Sequence, residues 1–249
     1  MKRERLDKRV VDEGFAASRE RARALIMAGA VRIGDRVVDK PGQQVDADAA
    51  LTVTGADLPY VSRGGVKLAG ALDALGIAVA ERIVLDVGAS TGGFTDCVLQ
   101  RGARAVIAVD VGYGQLAWSL RQDARVTLIE RTNIRHFDAA RLPAIPDFGV
   151  VDASFISLTL VLPKMSELLA PGSTIVALVK PQFEVGKGQV GSGGIVRDSG
   201  LHEAAIARVR GVAEGLGATI LGQCDSPISG AKGNREYFLA LRTSREKQV

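Results

Sequence analysis

The chain contains few cysteines, histidines and aromatic residues, and each shortage excludes a class of protein. Its 249 residues include two cysteines and two histidines, too few for a disulfide framework or a His-rich metal site. Cys97 and Cys224 both lie in apolar segments, which is typical of buried core thiols. Because aromatic residues make up only 4% of the chain, Val, Leu, Ile and Ala must supply most of the core. We therefore expect an aliphatic core and no metal centre.

Long hydrophobic runs are also missing. The longest are about six residues, whereas a membrane-spanning helix needs roughly 18 or more. The N-terminus is charged and no apolar stretch follows it, so it does not read as a secretory signal. We therefore expect a reducing, cytoplasmic location and no membrane partner.

Charge is distributed unevenly along the chain. The net charge of +4 is modest. Residues 1–40, however, hold eleven Lys and Arg against seven Asp and Glu, whereas residues 41–60 hold three acidic residues and no basic one. The excess of positive charge at the N-terminal end favours contact with a polyanion there.

The most informative segment is a glycine-rich turn between two apolar runs. Residues 82–87 predict a strand, and the turn that follows leads into a predicted helix at 93–101. A second apolar run, 105–109, then ends in Asp110. Glycine lets the backbone approach a ligand closely, and a carboxylate after the second strand can accept hydrogen bonds from two ribose hydroxyls. This layout predicts a pocket for a nucleotide-type cofactor.

The glycine spacing narrows the choice of cofactor. Gly88, Gly92 and Gly93 give G-x-x-x-G-G, which differs from the G-x-G-x-x-G of dinucleotide folds and from G-x-x-x-x-G-K-[ST]. No Lys follows to neutralise a phosphate. An adenosine cofactor without a pyrophosphate fits better, which favours S-adenosylmethionine (SAM). The alternative is an ordinary strand-to-helix turn of an α/β protein.

Strands and helices alternate after residue 82. The predicted strands are 82–87, 105–109, 125–130, 148–152, 173–179, 218–224 and 235–241. Predicted helices include 93–101, 115–121, 158–169 and 201–216. This alternation predicts a doubly wound, Rossmann-like α/β sheet of seven strands. No helix separates the last two strands, so the last strand should run antiparallel.

The N-terminal part predicts a separate small α/β domain. Residues 5–13 and 19–28 have helical spacing, with Ser18 as a plausible N-cap, and a hairpin turns at Gly34-Asp35. We predict a first domain at 1–57, a linker at 58–63 and a second domain at 64–249.

Charged residues follow several of the predicted strands. Asp152 and Lys180 come at the ends of two strands, and Glu236 opens the antiparallel one, so all three should share one sheet edge. Lys67 lies on the helix before the first strand. A ribose hydroxyl is a poor nucleophile, and a Lys in a polar, partly dry site can stabilise its developing charge or take its proton. Ordinary surface ion pairs are the alternative.

These segments together resemble the haemolysin-A-like (TlyA) family of rRNA 2′-O-ribose methyltransferases. The resemblance rests on residues 60–68, 85–96, 109–115, 130–133, 151–158, 179–186, 194–198 and 233–238. In the N-terminal part, Arg5-Leu6-Asp7, Gly14, Ser18-Arg19, Ala22, Leu25-Ile26, 29–31, Val38 and Lys40-Pro41 resemble an RNA-binding domain of the ribosomal-protein-S-four type. The resemblance implies SAM-dependent methylation of cytidine in 16S or 23S ribosomal RNA.

The resemblance also implies roles for individual residues. The catalytic set is Lys67, Asp152, Lys180 and Glu236, the tetrad of FtsJ-like enzymes. The cofactor set is Asp86, Gly88, Ser90, Gly92, Gly93, Phe94, Asp110, Asn133 and Asp152. The RNA-binding set is Arg5, Ser18, Arg19, Arg21, Arg23, Lys40 and Arg63.

Three other functions remain open at this point. A nicotinamide-dependent oxidoreductase is disfavoured by the glycine spacing. A membrane-active haemolysin is disfavoured by the lack of a signal or membrane span. A non-catalytic RNA-binding factor for ribosome assembly would keep the fold without turnover.

Overall fold

The computed structural model describes residues 3–16, 18–27, 29–54, 59–230 and 233–245, and they form a small and a large α/β region. The small region contains β1 (Arg3–Arg5), α1 (Leu6–Asp12), α2 (Arg19–Met27), β2 (Val31–Ile33), β3 (Arg36–Val37), β4 (Gln44–Asp46) and β5 (Leu51–Val53). β1 pairs antiparallel with β4, and the other three strands form a sheet in the order β3-β2-β5. The predicted hairpin at Gly34-Asp35 is therefore confirmed.

The core of the small region comes from the predicted apolar helix faces. Leu6 and Val10 of α1 are buried together with Leu25 and Ile26 of α2. The first helix begins one residue later than predicted because Arg3–Arg5 pairs with β4. Ser18 precedes α2, and its hydroxyl accepts a hydrogen bond from the Arg21 amide at 3.2 Å, as expected of an N-cap.

The large region is built on one seven-stranded sheet. Its elements are α3 (Arg63–Leu75), β6 (Ile83–Val87), α4 (Gly93–Gln100), β7 (Ala105–Val109), α5 (Trp118–Arg121), β8 (Val126–Ile129), β9 (Phe148–Val151), α6 (Leu158–Leu168), β10 (Thr174–Val179), α7 (Pro181–Glu184), α8 (Ser199–Gly215), β11 (Thr219–Asp225) and β12 (Tyr237–Arg242). The strand order is β11-β12-β10-β9-β6-β7-β8, and β12 is antiparallel to both neighbours. The predicted Rossmann-like architecture, with its antiparallel last strand, is confirmed.

Apart from Asp86 in β6, the central strands are apolar, since helices cover both faces of the sheet. Leu85 and Ile107 belong to the core that packs against α6 and α8. Val84 and Val106 belong to the opposite core, against α3 and α4. β6 lies between β7 and β9, where the strand order reverses, so a crevice opens beyond the carboxyl ends of these strands.

Two segments differ from the sequence prediction. α3 begins at Arg63, so the last residue of the predicted linker is helical and Gly64 and Gly65 lie inside the helix. Gly65 is required there because a Cβ would overlap the Tyr60 side chain. The six glycines of residues 182–200 predict a mobile lid over the acceptor, and in the structure this segment contains most of α7, two single 3₁₀ turns and the start of α8. Its mobility stays a prediction.

Candidate active site

Four charged side chains from distant parts of the chain meet beyond the carboxyl ends of β9 and β10. The Lys180 ammonium lies 2.6 Å from Asp152 Oδ1. The Lys67 ammonium lies 2.6 Å from Glu236 Oε2, and both of these side chains are buried. β9 and β10 are neighbours, and β12 runs the opposite way, so its start lies at the same edge. The structure thus brings together the three residues that the strand-end argument selected and Lys67 of α3.

The electrostatics of this cluster favour an ionised Asp152. Burial acts to raise the pKa of its carboxyl group, but the charges of Lys180 and Lys67 outweigh burial and lower that pKa. The 2.6 Å separation of the Lys180 ammonium from Asp152 Oδ1 is that of a close ion pair. The Lys180 ammonium also donates to Ser154 Oγ at 2.8 Å. Lys180 is therefore held in place by two groups of the same loop.

Glu236 sits beneath a closely fitted loop. The side chain is 2% exposed, and a Cβ on Gly230 would overlap its Oε1 atom. The Gly230 amide donates to the Asn234 carbonyl at 2.8 Å, which closes the loop in front of β12. Glycine at position 230 therefore leaves room for the carboxylate that pairs with Lys67.

The fit at Gly230 makes a testable prediction. Gly230→Ala should push the Glu236 carboxylate away from Lys67 and lower the rate of the methyl transfer that the family resemblance implies at least about tenfold. Adding Glu236→Asp, which shortens the side chain by one methylene, should restore part of the rate. Gly188→Ala is the control, because nothing lies within 4 Å of a Cβ there. Equal rates for Gly230→Ala and the control in a methyl-transfer assay would contradict this account.

The glycine turn after β6 approaches the tetrad directly. Gly88 has φ +83°, and a Cβ there would lie 2.6 Å from the Asp152 carbonyl oxygen. Gly92 has φ +96°, and a Cβ there would overlap the Leu120 side chain. A Cβ on Gly93 would overlap Ser62 Oγ at the start of α3. All three glycines permit approaches that side chains would block.

Asp110 is oriented at the carboxyl end of β7 by backbone donors. Its Oδ2 accepts from the Ser90 amide at 2.7 Å, and its Oδ1 accepts from the Gly112 amide at 2.6 Å. Ser90 has φ +49°, an uncommon conformation that aims its amide at this carboxylate. Each carboxylate oxygen retains accepting capacity, so the pair of oxygens suits two ribose hydroxyls.

Asp86 is a buried carboxylate with an unused oxygen. Thr95 Oγ1 donates to its Oδ2 at 2.6 Å, while its Oδ1 has no hydrogen-bond partner. Burial raises the pKa of this carboxyl group to about 7. An orphaned acceptor beside a glycine-rich turn fits a cofactor that carries cationic groups and a ribose, as SAM does. The residues present therefore fit the predicted cofactor.

The burial of Asp86 predicts a pH-dependent stability. Its folded-state pKa of about 7 lies above the ordinary 3.8. The free energy of unfolding should therefore fall as pH rises between these values, by at most about 1.4 kcal/mol per pH unit, and level off above them. Asp86→Asn removes this titration. Urea unfolding of both proteins should show wild type losing stability relative to the variant over this range, and parallel profiles would contradict the assignment.

Phe94 and Asn133 lie in different surroundings from the turn. Phe94 is 3% exposed, and its ring stacks on Phe238 with centroids 6.1 Å apart, so it forms part of the core. Asn133 follows β8 and is exposed; its Oδ1 accepts from the Arg135 amide at 3.0 Å. Their contact with a cofactor stays a prediction.

Phe155 is a functional candidate that the sequence reasoning missed. It lies three residues after Asp152, has a backbone φ of +64°, and is 85% exposed. A bulky residue in this conformation is a genuine outlier, and such strain concentrates at functional sites. Its ring contacts that of Phe183, with centroids 5.1 Å apart. An exposed ring beside Lys180 offers a platform on which a nucleobase can stack.

The predicted RNA-binding residues divide into two groups. Arg5, Ser18, Arg19, Arg21, Arg23 and Lys40 are exposed on the small region. Arg5 and Arg19 both pair with the buried Asp7 at 2.9 Å. Hydrogen bonding from Arg5, helped by Arg19, lowers the pKa of that carboxyl group. Asp7 therefore fixes two guanidinium groups side by side on one surface.

Arg63, by contrast, lies at the junction of the two regions. It donates to the Asp12 carbonyl at 3.1 Å and to the Ser229 carbonyl at 2.7 Å. A cleft of about 1010 Å³ opens next to it, and residues of both regions line it, including Lys8, Lys67 and Phe155. Two members of the tetrad, Lys67 and Asp152, therefore line a space that the small region helps to enclose.

None of the helices in the described ranges is long and apolar enough to cross a membrane. Within the same ranges, no group of three or more His, Cys, Asp or Glu side chains is arranged to hold a metal ion.

Comparisons with known proteins follow the division into two regions. Residues 60–243 match the FtsJ-like methyltransferase family, and residues 4–51 match the S4 domain. The chain is 50% identical to the 16S/23S rRNA (cytidine-2′-O)-methyltransferase TlyA of Mycobacterium tuberculosis, over 100% of this chain and 93% of that protein. It is 42% identical to Hemolysin A of Brachyspira hyodysenteriae, over 94% of this chain and 98% of that protein.

A solved structure gives the same result for the fold. It is a Streptococcus thermophilus protein provisionally named a hemolysin, with 44% identity and a TM-score of 0.79, covering 98% of this chain and 90% of that chain.

Proposed function

Since the chain belongs to the FtsJ-like methyltransferase family and carries an S4 domain, we propose that it methylates ribosomal RNA. The methyl donor in this proposal is SAM, and the acceptor is the 2′-hydroxyl of a cytidine. The 50%-identical relative is named for this activity on 16S and 23S rRNA. A ribosomal substrate would place the reaction in the cytoplasm.

One observation carries the proposal: the cofactor turn and the tetrad are in contact. The missing side chain of Gly88 leaves room for the Asp152 carbonyl, and Asp152 in turn pairs with Lys180. A cofactor on the turn would therefore lie beside the Lys180 ammonium. SAM supplies an electrophilic methyl group, and the protein must align the acceptor with it.

Within this proposal, Lys180 stabilises the negative charge that develops on the 2′-oxygen. The hydroxyl proton leaves to water as this charge develops, and the Asp152 carboxylate, 2.6 Å away, holds the ammonium group in place. Ser154 fixes the direction of the ammonium through its hydroxyl. Lys67 and Glu236 add one charge of each sign, so that the tetrad holds two positive and two negative groups, and they lie beside the sugar. Asp86, Ser90, Asp110 and Asn133 hold the cofactor, together with the glycine turn.

The small region supplies affinity for RNA. Its exposed arginines contact phosphates, which position a structured RNA without reading its sequence. Arg63 holds this region against the loop of Glu236, so RNA bound there can reach the tetrad through the shared cleft. The domain bounds 1–57, 58–63 and 64–249 remain part of this proposal.

The test uses purified protein, tritiated SAM and ribosomal subunits from a strain that lacks the modification. We expect label to enter subunit RNA and to map to a cytidine. Label in one subunit only would define the substrate further. SAM binding with no transfer to either subunit would instead support a non-catalytic assembly factor and contradict the proposal.

A further inference from the structure

The loop between β9 and α6 holds its aromatic residue in a costly arrangement. Phe155 combines φ +64° with a side chain that is 85% exposed. Neither feature stabilises the fold by itself, so other contacts must hold the loop in place. The same loop carries Asp152 and Ser154, which hold Lys180.

The short helix α7 and the residue before it contact this loop at three points. Lys180, directly before α7, binds Asp152 and Ser154 at the start of the loop. Phe183 contacts the Phe155 ring in the middle. Glu184 binds the end of the loop, where α6 begins.

Glu184 makes the most specific of these contacts. Its Oε2 accepts from Ser157 Oγ at 2.5 Å, and its Oε1 accepts from the Leu158 amide at 2.8 Å. The residue is 3% exposed, so both bonds are shielded from water. The Leu158 amide is at the first turn of α6, where amides lack partners within the helix and a carboxylate is favoured.

α7 itself is fixed from the other side. Arg208 of α8 donates to the Glu184 carbonyl oxygen at 2.7 Å. The main chain of Glu184 is therefore bound to α8, and the side chain of Glu184 is bound to the loop that carries Phe155. Moving the carboxylate would free the end of the loop while Lys180 still held its start.

We infer that Glu184 is a positioning residue that sets where Phe155 stands relative to Lys180. It touches neither cofactor nor substrate. Its carboxylate fixes the ring on which the target base stacks, and this places the 2′-oxygen at the Lys180 ammonium. This inference rests on the proposed function for its kinetic consequence, but the position of the loop is measurable without RNA.

The kinetic test is a double-mutant cycle. Glu184→Ala should lower kcat for subunit methylation about tenfold, a loss comparable to that of Phe155→Ala, which removes the stacking ring. SAM affinity should stay within about twofold in both variants. Glu184→Gln, which can accept from Leu158 and donate to Ser157, should recover most of the rate. Glu214→Ala, an exposed change on α8, is the control and should match wild type.

The double variant separates positioning from simple destabilisation. If Glu184 acts through Phe155, Glu184→Ala should cost little more in a Phe155→Ala background, because the ring it positions is gone. Rate losses that multiply in the double variant would overturn the inference.

An optical measurement tests the loop independently of the substrate. Trp118 is the one tryptophan of the sequence, so Trp118→Phe with Phe155→Trp leaves a single reporter in the loop. Adding Glu184→Ala should change its anisotropy and acrylamide quenching, and Glu184→Gln should change them much less. An unchanged reporter in a folded, SAM-binding Glu184→Ala protein would overturn the inference. A wild-type protein inactive on RNA would overturn the proposed function instead.

Discussion

Replacing Lys180 by alanine is expected to abolish methyl transfer while leaving SAM binding nearly intact. The ammonium group contacts Asp152 Oδ1 and Ser154 Oγ, and Asp152 lines the shared cleft. Losing a preorganised charge that stabilises a developing oxyanion typically lowers the rate by about 10² to 10³-fold. Because the ribose hydroxyl is a weak nucleophile, we expect the rate of methyl transfer to fall by about 10³-fold or more.

The measurement is single-turnover transfer of tritium from SAM to subunit RNA, with SAM affinity measured in parallel by calorimetry. Lys164→Ala is the matched control, since Lys164 pairs with Glu167 within α6 and lies outside the tetrad. Turnover by Lys180→Ala at the control's rate would remove Lys180 from the mechanism. Loss of SAM binding in the variant would show that Lys180 serves the cofactor instead.

Gly88→Ala is expected to weaken SAM binding about 100-fold and to suppress transfer with it. The added Cβ would lie 2.6 Å from the Asp152 carbonyl, in a residue whose φ of +83° already disfavours alanine. The turn and the strand end that carries Asp152 cannot both keep their positions. Backbone displacement of this kind costs several-fold to 10²-fold in sites that depend on alignment.

Gly76→Ala is the control that separates the two effects of Gly88→Ala, which are backbone strain and the clash of the new Cβ. Gly76 ends α3 at φ +62°, and nothing lies within 4 Å of a Cβ there. It therefore carries the backbone strain of a left-handed alanine without the clash. We expect Gly76→Ala to lower stability modestly and to bind SAM like wild type. Equal SAM affinity in both variants would contradict the close fit at Gly88.

The central strands of the sheet can be predicted from sequence because they are buried on both faces. Such strands read as apolar runs, and the order of runs and helices determines which ends share an edge. This is why Asp152 and Lys180 can be selected, and even paired, before the fold is seen. The pairing of Lys67 with Glu236 was not predicted, since spacing alone does not tell how α3 packs against the start of β12.

Other parts of the site leave no recognisable pattern in the local sequence. α7 is four residues long, starts at Pro181 and lies in a glycine-rich segment that reads as a loop. Its position depends on the contact from Arg208, which is distant in sequence. A positive φ is typical of glycine, so nothing at Phe155 predicts one. Likewise, the need for glycine at 230 depends on the Glu236 carboxylate and is visible only in three dimensions.

The central claim is that the clustered charges direct a methyl group to a ribose oxygen, and alkaline hydrolysis of the labelled RNA tests it most directly. A 2′-O-methyl group blocks cleavage at its own phosphodiester bond. We predict that the tritium will appear in alkali-resistant dinucleotides with cytidine on the 5′ side. Tritium released in mononucleotides would mean that a base is methylated, and would contradict the account.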